Sequence, residues 1–285
     1  MLTDRGTIYI ESGIAIRSMS ASSNRQCQYK YEPPEPLAPD DRISLSRPSH
    51  VQCPHETVDA DSQRCLFHSG DPEYPRRGFT DQFLEALQDD AIPPNFAAGQ
   101  LEGLDLSGQT LAPASGSPID LRGAVIDGDL DLTGATVKVP LLLDQAAITG
   151  DFYADNAVFA APVGLIETNI NGQMHWHNAT IDGGLPAHGF NGGYVDARDL
   201  VIDGPLLFDG ASFSSNLLLS RAEIAGPVDL SDTSFNWSLD ATLLVVQGDF
   251  SLVDSSIGAD CDLVGADITG GADLWKLSVT EETDW

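Results

Sequence analysis

Apolar residues recur every eleven positions through most of this chain. From Ile126 the series runs to Val137, Ile148, Phe159, Ile170 and Ile181. After one interruption it resumes at Ile202, Phe213, Ile224, Phe235, Val246, Ile257, Ile268 and Val279. Two residues before most anchors stands a small residue, as at Ala124, Ala135, Ala146, Ala157, Ala179, Ala211, Ala222 and Ala266. Apolar pairs precede the anchors by seven and five residues, among them Leu130 with Leu132, Leu141 with Leu143, and Leu217 with Leu219. A spacing of two is strand-like, because alternate side chains leave opposite faces of a strand. Gly128, Gly150, Gly172, Gly204, Gly226, Gly248 and Gly270 follow every second anchor by two residues. The repeating unit is therefore a coil of 22 residues made of two similar halves.

Short strands separated by Gly and Pro corners predict an all-β fold, a β-solenoid of 22-residue coils over residues 104–285. At ~4.8 Å per coil, about seven and a half coils make a rod of roughly 36 Å. Between Ile181 and Ile202 the step is 21 residues rather than eleven, which reads as a ten-residue insertion between 182 and 201 carrying "GGLPAHGFNGGY". Residues 80–103 read as a short helix and solenoid cap, with Thr80 as N-cap and Phe83, Leu84 and Leu87 on one face. Residues 20–79 are rich in Cys, His and Pro, and residues 1–19 read as a disordered or non-native leader, with Met19 an alternative start. Cys261 falls in an inward slot and is expected to be buried; Thr283 and Trp285 take the next inward slots beyond Val279.

Inward residues two apart with corners between them resemble the pentapeptide-repeat family, here with five-plus-six spacing instead of five-plus-five. Coils such as "GAVIDGDLDLTGATV" are similar to a divergent branch from haloarchaea and actinobacteria. The resemblance covers residues 104–285 and implies a right-handed β-solenoid, the family's quadrilateral β-helix, that binds other proteins.

Charge narrows the functions. The chain carries 43 acidic against 14 basic residues, a net charge of −29, and its only lysines are Lys30, Lys138 and Lys276. Nothing here displaces counterions from phosphates, so direct nucleic-acid binding is not expected. With 42% hydrophobic residues the chain is not of disordered composition. Dense carboxylate with little lysine fits a halophile's salt-rich cytoplasm, where screening tolerates it. No run of about 18 apolar residues suggests a membrane span.

Chemistry concentrates in the N-terminal third. Cys27, Cys53, Cys65 and His68 offer four soft or borderline ligands suited to a structural zinc ion, with His55 as an alternative ligand or supporting group. Three close cysteines in an intracellular chain favour metal over a disulfide. "CQY", "CPH" and "RCLFH" also resemble the segment that precedes the solenoid in haloarchaeal pentapeptide-repeat proteins. A second cluster, His175, His177 and His188, lies at the register break and could converge on a metal, although a solvated surface loop is the plainer expectation. Asp127, Asp129 and Asp131 imitate the opening of an EF-hand. The sixth and twelfth positions are Leu132 and Lys138 instead of Gly and Glu, which favours a corner of the repeat. No catalytic Ser–His–acid, P-loop or dinucleotide motif is present.

These features favour a non-enzymatic scaffold for protein partners, able to form a homodimer through the C-terminal end of the solenoid. The resemblance implies two alternatives: an acidic DNA mimic that binds a type II topoisomerase, or a soluble regulatory part of a membrane channel system.

Overall fold

The computed structural model describes residues 26–32, 51–56, 63–68 and 79–280. From residue 95 onward the chain is a parallel β-solenoid with four faces, one of which carries eight stacked strands. Each strand is only two or three residues long in most coils, and its partner lies 22 residues on, as in Phe152↔Met174 and Phe159↔Ile181. The strand Val125–Asp131 turns the corner at Gly128 (φ 122°) and so belongs to two faces. Anchors and paired apolar residues fill the interior; Ile126, Val137, Phe152, Phe213 and Val246 are at most 1% exposed. Identical slots stack on one another, most visibly the parallel rings of Phe213 and Phe235, 5.0 Å apart. Small residues two before each anchor leave room for this. Where Thr168, Thr233 or Ser255 replaces Ala, its buried hydroxyl donates to the carbonyl of Leu143, Phe208 or Leu230 at 2.7–2.9 Å.

The corners account for much of the aspartate. Asp131, Asp196, Asp240 and Asp262 each accept the N–H two residues on, closing a turn. Asp129, Asp151 and Asp249 accept the N–H 22 residues on, tying one coil to the next at 2.7–2.8 Å. The EF-hand-like triplet is thus committed to the repeat: Asp129 and Asp131 hold backbone, and Asp127 accepts from the Thr149 hydroxyl. A second corner position requires positive φ and is filled by Gly at 123, 134 and 210, by Asn156, Asn178, Asp199, Asp232 and Asp254, and in other coils by larger residues such as Leu243 (φ 58°).

Two sequence expectations change. The solenoid starts before residue 104, because Gln100–Asp105 already pairs with Val125–Asp131 and Asn95 bridges Asp120. Residues 182–201 are not an insertion. They complete an ordinary coil in which Thr180↔Val201 and Ile181↔Ile202 remain in register, one residue shorter at a corner. The missing anchor is Gly192, paired with Phe213, while Phe190 occupies the slot that is usually Ala. A Cβ on Gly192 would lie 2.5 Å from the Phe190 ring, so large and small residues have exchanged places within one slot pair. Hydrophobic periodicity cannot register a glycine anchor. The longer excursion lies earlier, at residues 112–118, where the Ala114 N–H caps the Leu87 carbonyl at 3.0 Å.

The helix α1 (Phe79–Leu87) sets Phe79, Phe83 and Leu87 against the first coil. Thr80 lies within it rather than before it, and Leu84 is only half-buried. At the far end burial fades: Ile257 is sealed, Cys261 is partly buried rather than core, and Val279 is 44% exposed. Thr283, Trp285 and the leader 1–19 lie outside the described residues.

Opposite outcomes are expected at two corner positions. Gly226→Ala places a Cβ 2.6 Å from the Gly204 and Pro205 backbone and should cost about 2 kcal/mol in denaturant unfolding. Leu243→Asn relieves an exposed non-Gly residue of positive φ and should gain about 0.5–1 kcal/mol.

Candidate metal centre

Three separate segments meet above the first coil. Lys30–Tyr31 pairs antiparallel with Val51–Gln52, the Cys27 N–H donates to the His55 carbonyl, and the Gln28 N–H donates to the Gln63 carbonyl. The 3-10 turn Leu66–His68 follows Cys65 and swings His68 back toward it. This brings Cys27, Cys53, Cys65 and His68 together, all buried, with their ligand atoms within 4.8 Å of one another.

Three of the six edges of this group are close to those of a zinc tetrahedron. Cys53 and Cys65 sulfurs are 3.5 Å apart, Cys65 Sγ lies 3.2 Å from His68 Nδ1, and Cys27 Sγ lies 3.8 Å from it. Ordinary zinc–sulfur and zinc–nitrogen distances would require edges of about 3.5–3.8 Å. The tautomer of His68 also fits. Its Nε2 is 2.9 Å from the Ala97 carbonyl, which can only accept, so Nε2 carries the proton and the Nδ1 lone pair faces the sulfurs. Tyr29 stacks on the same ring at 4.2 Å and fixes its plane.

Backbone dipoles support negative charge on sulfur. The Tyr29 and Cys65 N–H groups reach Cys27, and the His55 N–H reaches Cys53. Without a cation the three sulfurs cannot share that charge. The Cys53 thiol donates to Cys65 and holds Cys65 below the usual thiol range. The same hydrogen bond pushes Cys53 up, and burial pushes Cys27 up. A divalent ion would let all three ionise, and four protein ligands would close its coordination sphere, the pattern of a structural site.

His55 does not join the group. Its Nε2 donates to the Asn95 carbonyl at 2.9 Å, and its ring packs on Phe67 and Phe96. Burial holds its pKa down, so it is a neutral part of the core. Phe67, Phe79, Phe83 and Phe96 surround it in mutual ring contacts of 4.4–5.5 Å. Sequence spacing identified the four grouped residues; it gave no sign that Phe96 and the Asn95 and Ala97 carbonyls would anchor both histidines.

The second histidine cluster does not converge. His175 stacks on Tyr153 at 5.0 Å, His177 faces Asp199 and the Arg198 carbonyl, and His188 pairs with Asp209 on another corner. Among the described residues, the Cys/His group is the one cluster whose geometry suits a metal ion. Comparison with family models, curated proteins and solved structures finds no match to this chain.

Protein purified without chelator should carry about one zinc per chain by mass spectrometry or elemental analysis. Cys65→Ser should lose it. His55→Ala should keep the metal yet unfold about 2–3 kcal/mol more easily, through the lost ring packing and carbonyl contact. Equal metal loss in both variants would place His55 among the ligands.

Proposed function

We propose that this protein is a non-enzymatic scaffold: a zinc-cinched head fixed to a rigid solenoid whose outer faces bind protein partners. The observation that carries this reading is how the inside and outside of the rod are used. Its interior is occupied by stacked side chains, and an internal gap beside Met174, Trp176, Leu185, Val195 and Phe208 measures only ≈10 Å³. That is room for about one water, too little for a substrate. Chemistry is therefore left to the outside, where each face repeats the same positions coil after coil, as solenoids that bind partners do.

The metal centre supports the same reading. All four of its ligand atoms are buried protein groups, so no position is left for a reacting water. Its ligands come from three segments with little apolar core of their own, and binding energy on the order of 10 kcal/mol would be folding energy for them. No described helix is long and apolar enough to cross a membrane. Three reduced thiols and dense carboxylate suit a salt-rich cytoplasm, and the repeat pattern, though looser than the strict form, supports kinship with pentapeptide-repeat solenoids.

The test is affinity capture from the source organism's extract in molar salt, followed by reconstitution from purified components. A discrete partner should bind in fixed stoichiometry to the zinc-loaded chain and lose at least tenfold affinity to Cys65→Ser. Catalytic turnover of a small molecule by the purified chain would overturn the scaffold reading.

A further inference from the structure

Leu243 is strained and exposed at once. The corner that follows the strand Leu239–Asp240 turns through positive φ, and at other levels Gly134, Asn156, Asn178, Asp199, Arg221 and Gly265 make the same turn. Leu243 adopts it at φ 58°, the only large apolar side chain among the described residues to do so. Burial does not offset the strain, because the residue is 53% exposed. The repeat does not demand a leucine either, since Asn or Gly serves two levels away. Strain that neither packing nor the repeat explains points to a role for the side chain.

Its neighbours share that exposure. A Cβ on Gly265 would lie 2.7 Å from Leu243 Cδ2, so the leucine lies across the next corner and glycine makes room for it. Val264, whose carbonyl accepts the Leu243 N–H at 2.9 Å, is 70% exposed. At the opposite edge of the same face, on the corner before Leu239, Trp237 is 55% exposed. Between these edges the outward row is Leu218, Asp240 and Asp262. The Oδ1 atoms of Asp240 and Asp262 accept the N–H groups of Thr242 and Val264, which orients both carboxylates. No Lys or Arg occurs in the chain between Arg221 and Lys276.

We propose that Leu243, Val264 and Trp237 form the contact surface for a protein segment that presents Arg or Lys side chains among apolar ones. The inference rests on the scaffold reading above and gives it a place and a partner chemistry. Clustered exposed apolar side chains mark interaction sites, and Trp is a frequent anchor in them. Charge selects the occupant. A second copy docking through the same patch would bring like carboxylates together. A cationic segment is attracted by Asp240 and Asp262, and its apolar neighbours cover Leu243 and Val264.

The probe is a pair of short amphipathic helical peptides alike in their Leu and Phe positions, one with Arg and one with Glu on the polar face. Titrated against the full chain, the Arg peptide should bind at least about tenfold more tightly than the Glu peptide. Leu243→Asn and Val264→Ser should each weaken the Arg peptide by about tenfold or more. Because Leu243→Asn relieves the corner, its thermal midpoint should stay at or above that of the parent, which separates lost binding from lost folding. Val158→Ser, an exposed outward change on another face, should leave binding unchanged. Equal binding of the two peptides to the parent, including binding of neither, overturns the proposal, as does an Arg peptide held equally by parent and Leu243→Asn. A dimeric parent that Leu243→Asn converts to monomer also overturns it and assigns the surface to a second copy. A partner captured equally by parent and Leu243→Asn refutes this surface and leaves the scaffold reading standing.

Discussion

The hydrogen-bond ladder between coils governs everything else in this molecule. Parallel strands two residues long contribute little singly, but a fixed repeat of 22 places each backbone group opposite its equivalent and each side chain above its own kind. Every slot must then accept the same shape at the next level. Anchors are large, their neighbours two residues back are mostly small, and the corner that turns left-handed takes Gly, Asn or Asp at most levels. Asp at the corners follows from the same demand, since a short carboxylate reaches the N–H two residues on or one coil on. Much of the acidity that looks like a surface adaptation is therefore also joinery.

Where the demand was met by ordinary residues, the sequence could be read directly. Ile126, Val137 and their successors disclosed the coil length, and the spaced glycines disclosed that two halves make one turn. The register broke at Gly192 because an anchor without a side chain is silent to a hydrophobic count, although Phe190 supplies the missing volume from two residues away. A search for conserved total volume per coil, rather than for one apolar position, would have found it.

The metal centre was legible as a set of ligands and not as an architecture. Cys65 and His68, three apart, suggested one half of a site, and Cys27 and Cys53 were the remaining thiols of that segment. What fixes their geometry lies outside it: the Ala97 carbonyl selects the tautomer of His68, and Phe96 forms the floor on which His55 and Phe67 rest. Head, helix and first coil consequently share one aromatic core, and a metal bound above it would stabilise the solenoid's entrance as well as its own three segments.

The position of helix α1 has a further consequence. An in-register parallel stack has no intrinsic stopping point, since each coil presents the next with a fresh row of N–H and C=O groups, the geometry on which amyloid fibrils grow. Phe79, Phe83 and Leu87 close one end of that stack with side chains that offer no ladder to continue. The helix thus acts as a chain terminator in the polymer sense, limiting a potentially endless polymerisation of strands to a single molecule at that end.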